Sequence, residues 1–156
     1  ILQGYSNKQH EGYLGHSFVG EWVNLGAGTE NSALKNTYHE VSVCIGPDKT
    51  VKSHLQFVGC CIGDHTKTGI KTMITTGSVF GCFCNLFGSG YQPCYLPSFT
   101  WNNNQEHPVK HDPDKAIQTA KVVMSRRSLQ VSRAQEKLYE NIFADSAKER
   151  TALKIK

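Results

Sequence analysis

Five residues spaced six apart, Ile62, Thr68, Ile74, Phe80 and Leu86, constrain this chain more than any other feature. Four are large and apolar, and Gly63, Gly69 and Gly81 directly follow three of the five. The fifth position of each hexapeptide is small: Thr66, Thr72, Ser78, Cys84. Neither a helix of period 3.6 nor an alternating strand produces a six-residue beat. Agreement at three positions predicts a parallel β-helix of hexapeptide repeats. Each hexapeptide is one side of a triangular coil, with the lead residue and the small fifth residue facing inward. Glycine serves the corners, where a Cβ would crowd the turn. Stability then comes from contacts between neighbouring turns, which suits a chain with 38% hydrophobic residues and 14 glycines.

An earlier ladder has Ile1, Asn7, Tyr13, Val19 and Leu25 in the lead, with Val23 and Thr29 at the fifth position. Asn7 and Glu11 break its pattern. Ile1 already stands on the beat, with no methionine or capping unit before it, so a piece of a longer array is expected. The two ladders are out of phase by one residue. A loop excursion is therefore expected over about 31–56, with Glu40–Ile45 as an alternating strand and a turn at Gly46-Pro47-Asp48.

After Gly90 the beat stops. Residues 93–111, rich in proline, asparagine and aromatics, read as an irregular strap packed on the last turn. Asp112-Pro113 then supplies an N-cap and a first-turn proline. Ile117, Ala120, Val123 and Met124 form the apolar stripe of that helix. Ser132 to Gln135 fits a capping box, and Leu138, Ile142 and Phe143 give the second helix its apolar face. The expected fold is all-β with a helical tail: a β-helix over 1–92, the strap, and α-helices over 112–156.

The net charge of +4 is uneven. From Lys110 onward eleven Lys/Arg face six Asp/Glu, which reads as a solvated helical surface and not as a nucleic-acid groove. The six cysteines contain no CxxC pair, and Cys60 and Cys61 are adjacent. They read as reduced, mostly buried residues of a cytoplasmic protein. Cys84 lies on the inward ladder, so Cys82 and Cys84 read as packing residues and not as metal ligands. No apolar run approaches the ~18 residues of a membrane span.

Among seven histidines, His10 and His16 hold the same hexapeptide position on adjacent sides. The stretch His10, Tyr13-Leu14-Gly15 and Asn24-Leu25-Gly26-Ala27-Gly28-Thr29 resembles the acetyltransferase domain of the bifunctional N-acetylglucosamine-1-phosphate uridyltransferase/glucosamine-1-phosphate acetyltransferases. It resembles still more the sugar-phosphate nucleotidyltransferase-like proteins of that architecture. The resemblance implies a left-handed coil and acetyl transfer from acetyl-CoA to an amino-sugar 1-phosphate. It makes His10 the general base, a role suited to a side chain that titrates near neutral pH. It gives Tyr13 and Asn24 the acceptor, and Lys35, Asn36 and Tyr38 contacts to acetyl-CoA. Arg126-Arg127 of the helical tail lies outside the best-known acetyltransferase and reads as surface, with contact to CoA phosphates as the alternative. The resemblance also implies a homotrimer with sites between neighbouring coils. Zinc hydratases on this scaffold use histidines five apart, a spacing absent here, so no metal is expected. The alternative is a non-catalytic trimerisation or regulatory domain of a sugar-1-phosphate nucleotidyltransferase.

Overall fold

The computed structural model describes residues 1–156 and is mostly β, with helices at its C-terminal end. Strands of two or three residues follow one another: β1 (Phe18–Val19), β2 (Asn24–Leu25), β3 (Glu30–Asn31), then β6 (Cys60–Ile62), β7 (Lys67–Thr68), β8 (Met73–Ile74), β9 (Ser78–Phe80) and β10 (Asn85–Leu86). Between them β4 (Ser42–Gly46) and β5 (Lys49–Lys52) form an antiparallel hairpin. Beyond them come β11 (Tyr95–Leu96), β12 (Thr100–Asn102) and β13 (Val109–Lys110). Strands β1, β6, β9 and β11 make one sheet, and β2, β7, β10, β12 and β13 a second. Strands β3 and β8 make a third, extended by a bridge from Met73 to Tyr91. The chain visits the three sheets in a fixed rotation, so each turn stacks on the one before. Every pairing along the coil is parallel, and only the hairpin and β13 run antiparallel.

The six-residue beat lands where expected over most of the coil. Val19, Leu25, Ile62, Ile74, Phe80 and Leu86 point inward and are at most 1% exposed. The fifth-position residues Val23, Thr29, Thr66, Thr72, Ser78 and Cys84 are equally buried. Thr68, the polar member of its ladder, has a partner: its Oγ1 lies 2.7 Å from Thr29 Oγ1 and accepts the Gly26 N–H at 3.0 Å. Two hydroxyls facing each other across adjacent turns thus satisfy what would otherwise be buried polar groups.

The first turn departs from expectation. Tyr13 and Ile1 are 54% and 79% exposed. Leu2 bridges Val19 and Asn7 bridges Asn24, so this turn is one residue shorter and its frame is displaced. Leu14, not Tyr13, packs against the core. A Cβ at Gly15 would collide with the Tyr13 ring, so the tyrosine lies flat along the outside.

The excursion leaves the coil after Ala33 and returns at Val58, whose N–H donates to Ala33 O at 3.0 Å. Glu30 and Asn31 remain in the third sheet, and Asn31 is buried, exchanging hydrogen bonds with the backbone of Gly15. The anticipated strand is β4, and a second strand, β5, folds back on it through Pro47-Asp48. The cysteines are not all reduced. Cys44 of the hairpin is disulfide-bonded to Cys94, with Cα atoms 6.1 Å apart. Sequence spacing did not reveal this pair, because the fold brings together residues separated by 50 positions. Cys60 and Cys84 are buried free thiols, Cys82 is partly buried, and Cys61 is exposed.

Past residue 92 the expected irregular strap continues the coil: β11 and β12 extend the first two sheets, and Leu96 to Trp101 keeps a buried lead residue and a small buried fifth residue, Thr100. Leu96 pairs with Phe80 and joins the core. The backbone ladder persists because pairing needs only the strand positions, which a proline-rich connection can still supply.

Helix α1 (Pro113–Ser125) has Asp112 as its cap, accepting from the N–H groups of Asp114 and Lys115. Helix α2 (Arg133–Asp145) has both halves of the Ser132–Gln135 capping box, and a short α3 (Ala147–Ala152) follows. Leu138 faces solvent at 53% exposure; Tyr139 takes the buried place beside Ile142 and Phe143.

One corner of the coil explains where the helices dock. Trp22, His65, Phe83 and Phe99 each stand three residues after a buried lead residue, Tyr5 stands three after the half-exposed Leu2, and all five have positive φ. Left-handed backbone costs a bulky L-residue roughly 1–2 kcal/mol. In return their rings stack along the coil, Tyr5 on Trp22 at 4.2 Å, His65 on Phe83 at 4.7 Å and Phe83 on Phe99 at 4.7 Å. Tyr139 meets His65 and Phe83 edge-on, and Phe143 meets Phe99 in the same way. The tail is thus anchored on an aromatic column, with Ala116 and Ala120 of α1 in the same cluster.

Candidate functional site

Two-residue strands turn one side chain inward and one outward. On the second sheet the outward column reads Asn7, Asn24, Lys67, Asn85. Asn7 Nδ2 donates to Asn24 Oδ1 at 3.0 Å. Lys67 Nζ donates to His65 O at 3.0 Å, and burial pushes its ammonium pKa down. The C-terminal end of α1 overhangs this column with Val123, Arg126 and Arg127. Between helix and sheet lies a cleft of about 510 Å³, with Tyr5, Trp22 and Val23 on its apolar side and Gln9 at its edge. Three cationic side chains line it and no carboxylate does.

His10 stands on the stretch joining Asn7 to Tyr13. Lys8 shapes it, donating from Nζ to the carbonyls of His10 and Glu11 at 2.7 and 2.6 Å. Gly12 follows with φ +118°, where a Cβ would run into Thr29 O. The His10 imidazole is exposed and has no hydrogen-bond partner within the chain. Tyr13 is likewise turned outward. His16, the other histidine of the motif, stacks against Phe57 of the excursion at 5.2 Å.

Asn24 is therefore the member of the expected acceptor set that lines a cleft; His10 and Tyr13 lie on open surface outside it, Tyr13 against the third sheet, where its carbonyl accepts from Asn31 N–H. Lys35, Asn36 and Tyr38 lie at the base of the excursion, beyond the third sheet. Lys35 Nζ donates to Glu40 O at 2.9 Å, and Gln56 Nε2 donates to Tyr38 O at 2.9 Å. These bonds close the base of the loop and leave the Tyr38 ring 68% exposed. Sequence reasoning passed over Lys67, although its place directly before the inward Thr68 marks it as outward-facing. Arg126 and Arg127, preferred as surface residues with contact to CoA phosphates as the alternative, reach the same cleft only through the docking of α1.

Coiled parallel sheets with a projecting loop and a helical tail form a scaffold on which the turns repeat while the edges vary. No family model matches the chain. It is similar to a bifunctional sugar-1-phosphate nucleotidylyltransferase/acetyltransferase of Sulfurisphaera tokodaii, at 34% identity over 87 residues. That match takes in 56% of this chain and 21% of the relative, so the chain spans about a fifth of that protein's length. No helix is long and apolar enough to cross a membrane.

Proposed function

We propose that this chain is the acyltransferase-type domain of a sugar-phosphate nucleotidyltransferase-like protein, moving acetyl from acetyl-CoA to an amino-sugar 1-phosphate. The observation that carries the reading is the 34% identity to a relative whose name includes both activities. The three-sided coil agrees with it, and in this reading the coil is left-handed.

His10 is the general base. Its free imidazole is available to take a proton from the acceptor amine as that amine attacks the thioester carbonyl. Attack forms the carbon–nitrogen bond, and collapse of the tetrahedral adduct breaks the carbon–sulfur bond and releases CoA thiolate. Tyr13 and Asn24 hold the acceptor, and Lys35, Asn36 and Tyr38 meet the acetyl-CoA arm. The outward placement of His10 and Tyr13 suits sites completed by a neighbouring copy in a homotrimer. Holding amine and thioester together lowers the entropic part of the barrier.

The test is release of free CoA by the intact protein, given acetyl-CoA and glucosamine 1-phosphate. His10→Ala is expected to lower kcat by about 100-fold or more. Unchanged turnover would remove His10 as the base. No release with any amino-sugar phosphate would favour the second reading, a non-catalytic trimerisation or regulatory domain, which the outward-turned His10 and Tyr13 side chains also accommodate.

A further inference from the structure

We propose that the cleft between the second sheet and the end of α1 binds a phosphate ester, with Lys67, Arg126 and Arg127 holding the phosphate and Asn24 meeting the group esterified to it. The choice of ester rests on the functional reading above; the charge chemistry of the cleft does not.

Its cations have no counter-ions within the chain. The ion pairs present are His54–Glu40, Lys121–Glu136 and Lys137–Glu140, and none includes Lys67, Arg126 or Arg127. Lys67 gives one hydrogen to the His65 carbonyl, leaving two N–H groups to offer a ligand. A partly desolvated ammonium without an anion is costly, and a bound anion relieves that cost.

Basic side chains at a helix C-terminus ordinarily answer its free carbonyls. Here backbone groups do so. Arg127 and Leu129 N–H donate to Met124 O at 2.9 and 3.1 Å, and Ser128 N–H donates to Ser125 O at 3.0 Å. The two guanidiniums are left for another partner, and their forked donors match phosphate oxygens.

The remaining walls suit a polar ester. Asn7 occupies the Asn24 carbonyl oxygen, and the Asn24 amide hydrogens have no acceptor in the chain. They are free to donate to a hydroxyl or phosphate oxygen. Trp22, Val23 and Val123 supply an apolar side that limits water around the charges. A volume of about 510 Å³ falls within the range of small-molecule sites. Two sources share this chemistry, an amino-sugar 1-phosphate and the phosphates of CoA.

Isothermal titration of the intact protein with inorganic pyrophosphate, glucosamine 1-phosphate and CoA tests the site. Pyrophosphate is expected to bind, more weakly as salt rises. The pair Arg126→Ala/Arg127→Ala, and separately Lys67→Met, should each weaken it by about tenfold or more. Lys148→Ala, on exposed surface of α3, should not. The arginines are exposed, so their removal reports on binding even if Lys67→Met folds poorly. Tighter binding of glucosamine 1-phosphate, lost in Asn24→Ala, would support the site with the sugar ester as ligand. Tighter binding of CoA, reduced in the arginine pair, would support it with the acyl carrier. No binding of any probe, binding indifferent to the arginine pair, or an equal loss in Lys148→Ala would overturn it. Absence of acetyl transfer by the unsubstituted protein, with pyrophosphate binding that depends on the arginine pair, would sink the functional reading and leave the cleft standing.

Discussion

Nε2 of His65 and the hydroxyl of Tyr139 lie 3.0 Å apart, and this bond ties a corner of the coil to the helical tail. The imidazole lies between the rings of Trp22 and Phe83, and its Nδ1 has no hydrogen-bond partner. Burial, with a smaller effect from Lys67, lowers its pKa from 6.5 to about 4.

That depression has a definite sign. Between about pH 6.5 and pH 4 the unfolded chain takes up a proton that folded His65 refuses, so stability falls as pH falls through this window. The total is on the order of 3 kcal/mol, with about 2 kcal/mol lost by pH 5. His65→Phe, which places at this corner the residue type of Phe83 and Phe99, should flatten that part of the profile. Urea unfolding at pH 7.5 and pH 5 measures it; equal pH losses in the two proteins would refute the assignment.

The Cys44–Cys94 bond fastens the excursion hairpin to the segment leading into β11. Denatured protein should therefore show four reactive thiols without reductant and six with it, from the four free cysteines and the opened pair. Cys44→Ser/Cys94→Ser is expected to lose about 2–4 kcal/mol of stability. Six thiols in the untreated protein would remove the bond.

Gly77 joins hairpin to coil at φ +70°. Its N–H donates to Gly59 O at 2.6 Å and its carbonyl accepts from Cys44 N at 2.9 Å. A Cβ here would strike Ser42 O, so Gly77→Ala should cost roughly 2 kcal/mol or more, combining left-handed strain with the collision. A thermal midpoint equal to that of the unsubstituted protein would show that the hairpin moves aside freely.

Arg150 is 4% exposed and has no carboxylate partner. Its guanidinium donates to Ser98 O at 2.9 Å and Phe143 O at 2.6 Å, and lies 4.3 Å from the centre of the Phe143 ring. Arg150→Ala removes the guanidinium donor from Ser98 O and leaves Phe143 O only the longer bond from the Ser146 hydroxyl, so it should destabilise the protein by about 2–4 kcal/mol. Hydrogen exchange should report the loss first in α3, and protection there unchanged from the original protein would contradict this anchoring role.

Much of the scaffold was legible. Val19, Leu25 and the members of the Ile62 ladder could be assigned inward from spacing alone, and Asp112 and Ser132 marked both long helices by their caps. Leu138 was misplaced because helical periodicity leaves a neighbouring residue free to take the buried place, and Tyr139 does so by reaching the ring column. Tyr13 was misplaced because the first turn is shorter by one residue. Asn7 and Glu11 mark a break in the pattern without giving its size; the bridges from Leu2 to Val19 and from Asn7 to Asn24 give it.

The candidate site divides in the same way. His10, Tyr13 and Asn24 were visible as a motif because they belong to one short stretch. Lys67, Arg126 and Arg127 share a cleft only after a turn is stacked and a helix is docked over it. The sequence by itself determined the beat, the inward residues and the helix caps, since each depends on neighbours along the chain and on the bond geometry between them. Only the tertiary structure decided the aromatic column, the Cys44–Cys94 pair and the basic cleft. Those depend on which distant residues fall into register, and register is set by the summed lengths of every turn and excursion between them.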